Sequence, residues 1–150
     1  MEYAELLRFL EELNRSLESL TALQEEKRAA AQDLDALNEC MKREQALSLS
    51  LRSMEHKREA LLGGLGLAGV PLRDLPRRCP PERRAETARA LEQVLRSYQV
   101  LQSAQGAART VLEGRLHQVE GELKRRGLDL EEELPPTPRR GERGHTDFKA

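Results

Sequence analysis

The chain has no tryptophan and only 3% aromatic residues, which excludes a thick core built on large rings. It must bury narrow aliphatic stripes instead. No stretch approaches the ~20 consecutive apolar residues of a membrane-spanning helix. The opening Met1-Glu2-Tyr3-Ala4-Glu5 is acidic and lacks the basic and apolar regions of a signal peptide. A net charge of -1 gives no overall field to recruit nucleic acid or an anionic membrane. Two cysteines, Cys40 and Cys79, lie in different segments and make no disulfide framework. Glycine and proline are both missing from Met1 to Leu62, so nothing there forbids long helices. These absences predict a cytoplasmic chain without membrane insertion or nucleic-acid binding.

What is present agrees. Of the 150 residues, 34% are charged and the mean hydropathy is -0.69. Abundant Ala, Glu, Lys, Leu and Arg at helical spacing point to long helices or a coiled coil. The first helix runs from Glu2 to about Ala31, with Leu6, Phe9, Leu10, Leu13, Leu17 and Leu20 on one stripe. Gln24 and Lys27 then take the places where the next apolar residues should fall. The stripe loses phase near Leu34–Leu37, and Asp33 suits an N-cap, which favours a turn at residues 31–33 over one continuous helix. A second helix carries Ala36, Leu37, Cys40, Leu47, Leu51, Met54, Leu61 and Leu62 on a broad face, with Arg43, Glu44 and Arg58 on or beside it. Gly63-Gly64 is its expected C-cap.

The Gly/Pro-rich linker over 63–79 has no room for a long helix, only for a single turn around Leu72–Leu75. Its Leu65, Leu67, Val70, Leu72 and Leu75 are expected to fold back onto the end of the bundle. Pro80-Pro81-Glu82 then opens a third helix, because proline is tolerated in a first turn. Arg126-Gly127 closes it. This helix of about 45 residues would be about 65 Å long, too long for a compact globule.

The fold class is therefore all-α: an elongated antiparallel bundle or coiled coil of three long helices, with room for the short extra turn. A single domain is expected over 1–128, with helices at about 2–31, 33–62 and 81–126. Pro135-Pro136-Thr137-Pro138 and the polar residues after it predict a disordered tail over 129–150.

Candidate chemistry is sparse. Gly64-Leu65-Gly66-Leu67-Ala68-Gly69 matches the glycine spacing of a dinucleotide loop, but a helix precedes it and Val70-Pro71 follows. That loop works only between a strand and a helix N-terminus, so a helix cap with a connector is the better account. His56, His117 and His145 lie on three segments without metal-ligand spacing. Cys40 falls on an apolar helix face, where free cysteine is usually a small buried hydrophobe. Cys79 has Arg77 and Arg78 beside it, yet no histidine or asparagine context makes it a nucleophile. Ser48, Ser50 and Ser53 lack a nucleophile turn. No catalytic constellation, metal site or cofactor site emerges.

The long helix carries Val94, Tyr98, Leu101, Ala108, Leu112, Leu116, Val119 and Leu123 on one line, interrupted only by Gln105. Gly106, Gly114 and Gly121 interrupt its second half, away from that line. Each costs about 1 kcal/mol relative to alanine. A marginal helix with an intact stripe suits a surface that stiffens on meeting a partner; ordinary tolerance inside a coiled coil explains the glycines equally well.

Taken together, the segments resemble the FlgN family of flagellar type III export chaperones. The likeness is carried by ALQEEKRAAAQDLDALNECMKREQALSLSLRSMEHKREALLGGLGL and by YQVLQSAQGAARTVLEGRLHQVEGEL in the long helix. Within these, Asp33-Leu34-Asp35-Ala36-Leu37 opens the second helix. Lys42, Leu47, Leu51, Arg58, Leu61-Leu62 and Leu65-Gly66-Leu67 follow, and Gln102 and Gln105 precede Leu112. The final Asp147-Phe148-Lys149-Ala150 is also similar.

The resemblance implies an elongated, non-enzymatic bundle without cofactors. It implies that the chain binds the C-terminal regions of hook–filament junction (hook-associated) proteins in the cytoplasm, prevents their premature assembly and delivers them to the export gate. The family's client-binding part of the last helix corresponds to Ala108, Val111, Leu112, Leu116, Val119 and Leu123 here. An amphipathic helix can lay such a face against a client helix. Helices of about 30 residues cover only two-thirds of the third helix, which leaves one end of its stripe unpaired. If residues 31–33 do not turn, a two-helix hairpin results and a homodimer is needed to bury both stripes. A structural coiled-coil protein that only forms a homo-oligomer is the alternative.

Overall fold

The computed structural model describes residues 2–127. Their order is α1 (Glu2–Ala29), α2 (Leu34–Gly64), a 3₁₀ turn (Leu72–Asp74), α3 (Leu75–Arg78) and α4 (Pro81–Arg125). The protein is all-α, with no strand among the described residues. Four α-helices, one of them only four residues long, stand where a three-helix count was expected. The 3₁₀ turn and α3 occupy the linker. The expected tail over 129–150 lies outside the described residues.

α1 is the centre of the packing. Leu6, Phe9, Leu10, Leu13, Leu17, Leu20 and Leu23 are all buried, and both α2 and α4 pack principally on α1. Fully burying one such leucine stabilises the fold by roughly 1.5–3 kcal/mol. The stripe thus outweighs every exposed ion pair on the surface, each contributing about 0–1 kcal/mol.

A turn, and not a continuous helix, separates α1 from α2. The Asp33 backbone is extended and its carboxylate accepts from the Ala36 N–H at 3.2 Å, an N-cap bond. α2 then runs antiparallel to α1, as two ion pairs fix. Lys57 meets Glu12 at 3.1 Å near one end, and Arg43 meets Glu26 at 2.6 Å near the other. The hydrogen bond to the Glu26 carboxylate raises the Arg43 guanidinium pKa above its ordinary value.

Polar interruptions of the two apolar stripes find each other. Gln24 is buried and donates to the Glu44 carboxylate, and Lys27 reaches the same carboxylate at 3.2 Å. A polar layer therefore replaces leucine at this end of the α1–α2 pair. Sliding one helix by a turn would part Gln24 and Lys27 from Glu44, so the layer favours one register.

The end of α2 corrects the expected cap. The helix passes through Gly63 and Gly64, and the left-handed residue is Gly66, with φ of 73°. The Leu67 N–H bonds the Leu62 carbonyl at 2.8 Å and the Gly66 N–H bonds that of Gly63 at 3.2 Å. This is a Schellman closure, in which Leu67 packs in the same core as Leu62. A side chain at position 66 would strain that backbone, whereas positions 63 and 64 are helical.

The linker folds back on the bundle. Leu67, Leu72, Leu75 and Cys79 are buried, and Leu65 and Val70 are packed against the core. The Cys79 thiol lies 3.7 Å from the hydroxyl of buried Thr87, which itself donates to the Arg83 carbonyl at 2.9 Å. Arg84 ties α3 to α4 by donating to the Pro76 carbonyl at 3.0 Å.

Candidate protein-binding surface on the distal half of α4

α4 is one unbroken helix of 45 residues, but its two halves have different surroundings. In the proximal half Thr87, Leu91, Val94 and Leu101 are buried, with Leu95 and Tyr98 packed against the core. Ser97 donates to Asn14 of α1. Ala108 is the last buried residue, at 1% exposure. From there to Arg125 the helix continues for about 26 Å with no buried side chain among the described residues.

The expected partner-contacting residues divide accordingly. Ala108 belongs to the bundle's own core. Val111 is 39% and Leu116 54% exposed, while Leu112, Val119 and Leu123 are half-buried. On a helical wheel Leu112, Leu116, Val119 and Leu123 fall within about 40° of one line, and Val111 flanks them. Arg109, Glu113 and Glu120 border one side of the stripe, and Arg115 and Glu122 the other. Both signs occur on both margins, so apolar shape and not net charge distinguishes the surface. Glu122 pairs with Arg126 at 3.1 Å, and Gly127, with φ of 80°, closes the helix end as the sequence predicts.

Val100, 52% exposed, was not singled out in the sequence. It lies off the leucine line, but 100, 104, 107 and 111 are spaced as a coiled-coil edge, and that spacing was the available signal. Leu34, Met41 and Leu49 of α2 are exposed as well, but scattered. Isolated exposed apolar residues are ordinary.

Nothing else described offers a chemical centre. An open groove of about 330 Å³ between α1 and α2 is lined by Glu12, Arg15, Ser16, Ser19, Leu47, Ser50 and Met54, without a nucleophile–base pair. His56 and His117 are exposed, and Cys40 and Cys79 are buried. Among the described residues no group of three metal-ligating side chains forms, and no helix is long and apolar enough to cross a membrane. The dinucleotide-like glycines lie at the Schellman closure and the loop after it, following a helix and not a strand.

A model of the FlgN protein family matches residues 1–124, a span that includes the whole distal stripe. No curated protein and no solved structure matches the chain. Its α-helical architecture and this match over most of its length identify the chain as a member of the FlgN family of flagellar export chaperones.

Proposed function

We propose that this chaperone works in the cytoplasm, binding the C-terminal regions of hook–filament junction proteins through the distal half of α4. It holds them apart until delivery to the export gate. The observation that carries this reading is the apolar stripe of α4, which continues past Ala108, the last side chain of α4 that is buried among the described residues. Val111, Leu112, Leu116, Val119 and Leu123 are the anchors, about one per helical turn, and the client contributes an apolar helix face. Ala108 supports them from inside the bundle. Residues 1–128 act as one elongated domain, in which α1, α2 and α4 form the antiparallel bundle and the end of α4 projects from it.

Co-expression with the junction proteins of the same genome tests the reading. A stable complex should co-purify, and Leu112→Asp with Leu116→Asp should abolish it while leaving the main unfolding midpoint of the bundle unmoved. Failure of both junction proteins to co-purify would overturn the assignment. Sedimentation separates the homo-oligomer alternative: an oligomer unaffected by the double substitution would show that this stripe is not the contact surface.

A further inference from the structure

Gly106, Gly114 and Gly121 have no architectural reason in the fold. None has a positive φ, and a methyl group on any of them would meet nothing within 4 Å. The two usual demands for glycine in a helix, a left-handed backbone or a close neighbour, are both missing. All three fall in the part of α4 that runs beside and beyond Ala108, the last buried residue. Beyond Ala108 no described side chain of the helix is buried, and its side-chain contacts include exposed i,i+4 pairs such as Arg126–Glu122. The Thr110 hydroxyl also bonds back to the Gly106 carbonyl at 3.0 Å, an arrangement that slightly weakens and often bends a helix. Helix without tertiary contacts is marginal in water even without glycines.

We propose that α4 from about Arg109 to Arg125 is a separately melting segment, which opens from its C-terminal end while the rest of the bundle, Ala108 included, stays folded. Each glycine makes opening past it toward the bundle about fivefold easier than alanine would, so opening is graded along the segment. The stripe from Val111 to Leu123 rides on this segment, so a partner laid against it must also hold it helical, which links occupation of the stripe to its order. That use rests on the client-binding reading; the melting does not.

Amide hydrogen exchange of the full chain, resolved residue by residue by NMR, tests the proposal without any partner. In the wild type, amides of Val111–Arg125 should exchange far faster than those of Leu91–Leu101. In the Gly106→Ala, Gly114→Ala, Gly121→Ala variant, amides between Gly114 and Gly121 should slow by about fivefold, because opening to that depth releases only position 121. Those of Arg109–Glu113 should slow by about 25-fold, because two substituted positions must then open. Leu91–Leu101 should not change. Wild-type distal amides as protected as Leu91–Leu101 would overturn the proposal, and so would an alanine effect that is absent or uniform along α4.

Discussion

The two halves of α4 share one helix, one periodicity and the same aliphatic residue types, yet among the described residues only the first buries its stripe. Leu91, Val94 and Leu101 disappear into the bundle around α1, while Leu116 remains 54% exposed. The difference comes from length. α1 has 28 residues and α4 has 45, so α4 outruns its neighbour by about 26 Å. Apolar periodicity therefore reports that a face can be covered, and the lengths of the neighbouring helices report where the chain stops covering it.

Substitutions can break that contrast. Leu101→Ala should cost about 2–5 kcal/mol in urea unfolding, because the side chain is 1% exposed and its loss leaves a cavity. The same change at Leu116 should stay within about 0.5 kcal/mol, and equal effects at the two positions would remove the distinction between the halves. Next in size, Glu44→Ala should cost about 1–3 kcal/mol, since buried Gln24 loses its acceptor and Lys27 its counter-charge. A loss under about 0.5 kcal/mol would show that the polar layer does not hold α1 against α2. Gly114→Ala should strengthen the distal helix by about 1 kcal/mol, seen as added far-UV helical signal with the main unfolding midpoint unmoved. A shifted midpoint would mean that the distal segment unfolds with the bundle. Smallest of all, Arg96→Ala breaks an exposed pair with Glu92 on the covered half and should change stability by no more than about 0.5 kcal/mol.

Much of this fold is legible in the sequence because it is local. The α1 stripe from Leu6 to Leu20, the proline start at Pro81 and the glycine stop at Gly127 each depend on neighbours within a turn or two. The polar breaks in the stripes were legible only as polar residues standing in apolar places. Gln24 and Lys27 make sense once Glu44 faces them, and pairing across 17–20 residues of chain is not a local signal. The C-cap of α2 shifted from Gly63-Gly64 to Gly66 because the left-handed position is fixed by where Leu67 can bury against Leu62. At the candidate site the stripe was legible but its division was not. Ala108 looks like any other member of the line, and only the end of cover from the bundle assigns it to the core.

The central claim is that the uncovered stripe of α4 is a client-binding surface, and calorimetric titration tests it most directly. The full chain would be titrated with the C-terminal region of a hook–filament junction protein from the same genome. Binding should be saturable for the wild type and weakened by at least about 100-fold by Leu112→Asp with Leu116→Asp, the loss expected when two central anchors are removed. Undiminished binding by the double variant, with the bundle still folded, would contradict the account.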